Sequence, residues 1–358
     1  MSVRRPQRVA LVIGQLTRGG AEGQLVQLVR GLDRARFEPI VYCLSAKTEP
    51  LGLEIAASGT PLRSLTGAAL RRAQRLAVHF EEDQIDVVHA WLYPANAMAT
   101  AAHVLRSARP LITSARNCKV QGWVSRLANV VAFRSSRAIV ANSRDVAAYI
   151  TRTYAAPSRP IRVIYNGIDV ERFHPNGWHV EAGPIVTIGR LVPQKNHDLF
   201  LRAAAALSRE VPAARFTIVG DGPLRAMLER QASQLGIADR VAFAGERNDV
   251  DAIVRAASLF WLTSMWEGMP NVVLEAMASG VPVVATNVGG TRELVREGVD
   301  GYVVARGDAT AFVRHSRTLL LEAGMRRAFS AAARVRAETF STAQMVEAMM
   351  RLYDEVIQ

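Results

Sequence analysis

SMWEGMPNVVLEAMASGVPVVAT, residues 264–286, is the stretch whose reading decides the fold. The apolar run Leu259–Leu262 precedes it and Gly268 and Pro270 break the chain after it. A helical period then begins at Asn271 or Val272 and runs to Ala278, and Gly280 leads into the β-branched run Val281–Ala285. Strand, loop, helix and strand in that order is a crossover unit of a parallel sheet. The alternation repeats in both directions. Strand-like runs lie at Arg8–Ile13, Phe37–Cys43, Ile85–His89, Leu111–Ser114, Ala138–Ala141 and Ile161–Tyr165, then at Ile185–Ile188, Phe216–Val219 and Val241–Ala244. Helix-period segments fill the intervals, such as Ala21–Leu32, Ala68–Glu82, Pro94–Arg106, Ser143–Thr153, His197–Ser208 and Pro223–Leu235. The loose segment HPNGWHVEAG (174–183) interrupts the series and reads as a linker. The expected fold class is therefore α/β, with two doubly wound Rossmann-like domains at 1–178 and 179–340. Residues 341–358 form a C-terminal helix expected to return to the first domain. Ligands of open parallel sheets bind beyond the carboxyl ends of the strands, which places the expected site in the cleft between the domains.

Composition narrows the class. The 358 residues are 49% hydrophobic and 21% charged, within the globular range, and their number suits two domains. Cys43 and Cys118 cannot build a disulfide framework, which suits a reducing, cytoplasmic setting. The basic start followed by a short apolar run reads as a first strand rather than a signal segment. No run approaches the ~18 apolar residues of a membrane-spanning helix. Residues 1–180 hold 24 Lys+Arg against 12 Asp+Glu, whereas 181–358 hold 20 of each. The excess charge lies entirely in the first half and favours an anionic partner there.

The loops after the strands carry the chemistry. The first strand ends in GQLTRGGAE, where Gly19 and Gly20 open a helix whose amides suit an anion. The spacing is not G-x-G-x-x-G, so a nicotinamide site is unsupported. The second series opens with IVTIGRLVPQKN. Arg190 and Lys195 at a strand's carboxyl end suit a diphosphate, and Lys195 is one of only three lysines beside 41 arginines. Glu267 lies in the loop of the deciding segment, and Glu275 in the first turns of its helix. Gly268, Met269, Pro270, Asn271 and Val272 bring early-helix amides to the same place. A carboxylate there can accept bonds from the vicinal hydroxyls of a ribose.

Together GRLVPQKN, VGDGPL, EGMPNVVLEAMASGVPVVAT and YNGIDVERFHP resemble retaining glycosyltransferase family 4, enzymes of the GT-B fold, over nearly the whole chain. The resemblance implies a retaining, metal-independent transfer from a nucleotide sugar to a glycan or lipid-linked acceptor, in envelope polysaccharide or lipopolysaccharide synthesis. UDP is favoured over GDP from family frequency. It also implies that Arg190 and Lys195 grip the donor diphosphate, Glu275 the ribose, and Glu267 with the following amides the transferred sugar. Gly19 and Gly20 would meet the diphosphate, and Arg247 would lie near the base. Two readings compete: a nucleotide-sugar epimerase of the same fold, and a silent sugar-nucleotide-binding subunit.

The chain departs from the family where ITSARN places Arg116 at a position many members give to His. Arg116 could meet an anionic donor or acceptor, and His89, after its strand, is a second candidate for sugar or acceptor contact. Asp249 and Asp251 form a nominal D-x-D that reads as helix capping, so no metal and no other cofactor is expected. Two basic stretches, Ala68–Phe80 and Lys119–Arg137 with Trp123, could lie on an anionic membrane surface, making the protein peripheral on the inner face of the cytoplasmic membrane. No aromatic-interleaved basic groove suggests a nucleic-acid partner.

Overall fold

A computed structural model describes residues 5–106, 109–118, 122–154, 159–175 and 183–358. The chain divides into two compact units: residues 1–167 with 342–358, and residues 168–341. Residues 168–175, which the sequence reading gives to the first domain, thus belong to the second. Most of the expected linker, 176–182, lies outside the described residues.

The first unit alternates β1 (Gln7–Ile13), α1 (Gly20–Gly31), β2 (Phe37–Cys43), α2 (Leu51–Ala57), β3 (Leu62–Ser64), α3 (Ala69–Glu82), β4 (Val87–Trp91) and α4 (Leu92–Arg106). It continues with β5 (Leu111–Ala115), α5 (Trp123–Ser135), β6 (Ala138–Ala141), α6 (Arg144–Thr153) and β7 (Ile161–Val163). The second holds β8 (Ile185–Ile188), α7 (His197–Glu210), β9 (Phe216–Val219), α8 (Arg225–Gln234), β10 (Val241–Gly245), α9 (Val250–Arg255), β11 (Leu259–Leu262) and α10 (Asn271–Ala278). After these come β12 (Val283–Thr286), α11 (Thr291–Leu294), β13 (Gly301–Val304), α12 (Ala309–Leu321) and α13 (Ala323–Glu338), while α14 (Thr342–Ile357) rejoins the first unit.

Both sheets are parallel, in the orders β3-β2-β1-β4-β5-β6-β7 and β10-β9-β8-β11-β12-β13. Each reverses direction of growth once, between β1 and β4 and between β8 and β11. Neighbouring loops diverge at such a point and leave a crevice. Strand alternation fills both faces of the first sheet. On β1, Val9, Leu11 and Ile13 join the core beneath α1 and α14, while Ala10 and Val12 join the one beneath α3 and α4.

Boundaries shift where backbone chemistry dictates. The strand expected at Val281–Ala285 forms at Val283–Thr286, because Pro282 has no N–H to donate and enters the ladder only through its carbonyl, which accepts from the Phe260 amide at 3.0 Å. Edge strands β3 and β13 escaped the sequence reading. The first has three residues, and the second opens with Gly301, where a Cβ would come within 2.5 Å of the Val283 carbonyl oxygen.

The last helix completes the first unit. Met345, Val346, Met349, Leu352, Tyr353 and Val356 of α14 are buried in the core shared with α1 and β1. Each fully buried apolar side chain contributes about 1.5–3 kcal/mol relative to exposure. The Tyr353 hydroxyl lies 2.8 Å from Nδ1 of His89, and Nε2 of that ring lies 2.7 Å from the Ser114 hydroxyl. One polar chain therefore ties α14 to β4 and β5 inside the core. Tyr353→Phe strands Nδ1 without a partner, so urea unfolding should show a loss of about 1–3 kcal/mol with an unchanged m-value.

Candidate functional site

The crevice of the second sheet gathers most of the singled-out residues. Gly189 and Arg190 follow β8, and a single 3₁₀ turn, Pro193–Lys195, brings the chain to α7. Asn196 takes a left-handed conformation, φ 51°, at the start of that helix. The Lys195 stem packs across Gly189, where a Cβ would sit 3.1 Å from Lys195 Cδ and Cε. A side chain at 189 would close that lane.

The loop after β11 is stitched to this segment. The Met265 amide donates to the Gln194 carbonyl at 2.8 Å, Gln194 Nε2 donates to the Trp266 carbonyl at 3.0 Å, and the Thr263 hydroxyl donates to the Lys195 carbonyl at 2.9 Å. From the far side the Gly290 amide donates to the Gly268 carbonyl at 2.6 Å. Gly289 permits that approach: its φ is +50°, and a Cβ would meet the Gly268 oxygen at 2.4 Å. These bonds fix Glu267, which is buried, so that Oε1 accepts from Lys195 Nζ at 2.6 Å. Arg190 is exposed and forms no ion pair among the described residues.

Gly268, Met269 and Pro270 are buried and lead directly into α10, whose first residues Asn271 and Val272 are half-buried. Pro270, at the cap, supplies no side-chain bond. Glu275 follows one turn later. The residue keeps some solvent exposure, yet atoms crowd the carboxyl, and burial pushes it up to about 7 against smaller opposing effects of Arg172 and Lys195. No hydrogen-bond partner of the carboxyl is found among the described residues. Arg172, in the YNGIDVERFHP segment, is a contributor that the sequence reading overlooked, since a lone arginine among 41 carries no signal.

Arg247 lies apart, beyond β10 at the sheet's outer edge, and its guanidinium grips Asp249 through two bonds of 2.8 and 2.7 Å. That contact corrects the capping assignment. Asp249 occupies the cap position of α9 without a side-chain bond to the helix, and Asp251 bonds to Arg255 at 2.8 Å. No cluster of three metal-ligating side chains occurs among the described residues.

In the first unit, Gly19 caps α1 in an extended conformation and Gly20 begins the helix. Glu22 leans over it, since a Cβ at Gly19 would fall 2.2 Å from Glu22 Oε2. The GGAE sequence thus places a carboxylate from the third helical residue at the helix's own positive end, where acids are stabilised. His89 is corrected to an internal role. It is fully enclosed, both ring nitrogens are engaged, and burial, with the nearby Arg116 charge, lowers its pKa to about 3. Arg116, also buried, stacks on Trp91 with 3.9 Å to the ring centroid and donates from Nη1 to Asn166 at 2.8 Å. Its Nε and Nη2 have no hydrogen-bond partner among the described residues, and burial lowers its pKa to about 9. It borders a cavity of about 400 Å³ lined also by Asn96, Ser125, Asn129, Phe133, Tyr149 and Tyr154.

The family comparisons agree with this architecture. The profile for Glycosyl transferases group 1 matches residues 172–336, and that for Glycosyltransferase Family 4 matches residues 18–172. The lipopolysaccharide core biosynthesis mannosyltransferase LpsB of Rhizobium meliloti is 30% identical over 307 residues, 76% of this chain and 84% of that protein. The chain belongs to glycosyltransferase family 4. An Escherichia coli relative of this family-4 chain, UDP-Gal:alpha-D-GlcNAc-diphosphoundecaprenol alpha-1,3-galactosyltransferase, is 33% identical over 193 residues. That match spans half the length of each protein. Among solved structures, Anabaena HepE in complex with UDP and glucose superposes with a TM-score of 0.86 at 20% identity, covering 98% of this chain and all of HepE. The family-4 chain therefore has the GT-B fold. No described helix is long and apolar enough to cross a membrane.

The raised Glu275 carboxyl has a thermodynamic signature. Its folded pKa lies above the unfolded value, so between about pH 4.5 and 7 the native state binds the extra proton and loses stability as pH rises. Glu275→Gln removes that loss. The stability difference, variant minus parent, should grow by up to about 3 kcal/mol between pH 5 and 8 in urea titrations. A difference independent of pH contradicts the assignment.

Proposed function

We propose that this chain is a retaining glycosyltransferase that moves a sugar from a nucleotide-sugar donor, UDP-linked in preference to GDP-linked, to a glycan or lipid-linked acceptor. The reaction would serve envelope polysaccharide or glycolipid assembly. The carrying observation is the Lys195–Glu267 contact of 2.6 Å at the β8/β11 crevice, with the Glu275 carboxyl in reach of the same cation's field. Such an ammonium, met among the described residues by the Glu267 carboxylate, can pass to a diphosphate and release Glu267 for sugar hydroxyls. The UDP preference draws support from the UDP-galactose-dependent Escherichia coli galactosyltransferase and from the UDP bound to HepE.

On this reading the bond between the anomeric carbon and the diphosphate oxygen breaks, and its electron pair goes to the diphosphate. Lys195 and Arg190 stabilise that growing charge without help from a metal, a term that can reach about 3 kcal/mol per interaction. The acceptor oxygen bonds the anomeric carbon on the same face, and its proton passes to the leaving diphosphate oxygen. Retention follows the family pattern, and no protein base is required. Glu275 holds the ribose in its ionised form, because hydroxyls donate to a carboxylate.

Calorimetric titration with UDP- and GDP-sugars identifies the donor, and turnover with lipid-linked acceptors followed by NMR reports the anomeric outcome. Lys195→Ala and Glu275→Ala should each lower kcat/KM by about 10²–10³ while retaining the parent's circular dichroism. Full activity in either variant refutes the assignment. Conversion of the donor with no acceptor present establishes an epimerase instead.

A further inference from the structure

Residues 87–144 contain eight Lys+Arg and not one Asp or Glu. Within them α5 turns an apolar stripe outward: Trp123 is 78% exposed, Leu127 60%, Val124 56% and Val131 47%. At ~100° per residue these four fall within an arc of about 100°. The opposite face, with Asn129, Ala132 and Phe133, is buried. Arg134 lies within the stripe and Arg126 on its flank, both exposed. Lys119, expected to open this basic stretch, lies outside the described residues.

The adjacent helices carry the same signature. Helix α4 packs on both α3 and α5, so the three share a layer. Exposed Leu70 neighbours Arg71 on α3, and exposed Val104 and Leu105 neighbour Arg106 on α4. Arg71, Arg75, Arg106, Arg126 and Arg134 form no ion pair among the described residues. The first unit holds 24 Lys+Arg against 13 Asp+Glu, the second 20 against 19. A solvated face does not require aliphatic side chains and a tryptophan, and a purely ionic contact would not use them. Apolar groups interleaved with unpaired cations match a surface with an anionic plane above an apolar interior.

We propose that the α5 stripe, with the flanking cations of α3 and α4, docks on an anionic lipid bilayer. Trp123, Leu127 and Val131 enter the headgroup boundary, and Arg126 and Arg134 meet lipid phosphates. The inference concerns lipid binding alone and does not depend on the transfer reaction.

Co-sedimentation of the full chain with phosphatidylcholine vesicles, with and without phosphatidylglycerol, provides the test. Binding should appear only with the anionic lipid, weaken at high salt, and shift Trp emission to the blue. Both Leu127→Ser/Val131→Ser and Arg126→Glu/Arg134→Glu should weaken it by about tenfold or more, whereas the control Arg230→Glu/Arg327→Glu, on the second unit, should leave it unchanged. Absence of binding, or equal losses in the control, overturns the proposal. So does a lipid-free dimer of the parent chain that the α5 variants dissolve, since a second copy then covers the stripe. Thermal melts within a few degrees of the parent's guard against misfolding as the cause.

Discussion

A parallel sheet sends every connecting loop that follows a strand to the same edge, and only where growth of the sheet reverses do two such loops part. The second unit depends on this constraint. Its reversal between β8 and β11 places GRLVPQKN beside SMWEGMP, segments some seventy residues apart, and backbone bonds then lock one onto the other. Lys195 reaches Glu267 because both loops are held from several directions, by Gln194 and Thr263 on one side and by Gly290 on the other. Rigid loops make short ionic contacts inexpensive in conformational entropy, since little freedom remains to be lost.

The two acids of this region live under different conditions. Glu267 has a cation at bonding distance, whereas Glu275 is dominated by desolvation, against which the fields of Arg172 and Lys195 are smaller. A carboxyl held that way is costly to the unliganded fold, and polar groups of this kind concentrate where a ligand completes them. On the proposed reading, the desolvation that weakens the unliganded fold and the recognition of a donor meet at this single side chain.

Much of this was legible in the sequence, and for an identifiable reason. Strands buried on both faces read as continuous apolar runs, so Phe37–Cys43, Ala138–Ala141 and Leu259–Leu262 were found at their observed limits. In the second unit a rare lysine and two spaced acids drew attention to the loops, and the structure brings Lys195 onto Glu267. What failed was long-range side-chain pairing. Nothing in VVHAW announces that His89 is enclosed by Tyr353, which lies 264 positions later, and nothing in RNDVD distinguishes a cap from an Arg247–Asp249 clasp. Glu22 was visible in GGAE, yet its fold-back over Gly19 depends on rotamer and backbone together.

Helix α14 has a consequence for how the protein is made. Ribosomes release the chain from its amino end, so the second unit's residues 168–341 are all available before Thr342 appears. The first unit, although it begins earlier, lacks Met345, Met349 and Tyr353 until the last turns emerge, and its sheet must wait with one flank uncovered. Order of translation and order of completion are thus inverted between the two units, and a nascent chain stalled before Thr342 would present the apolar side of β1 and α1 to holding chaperones.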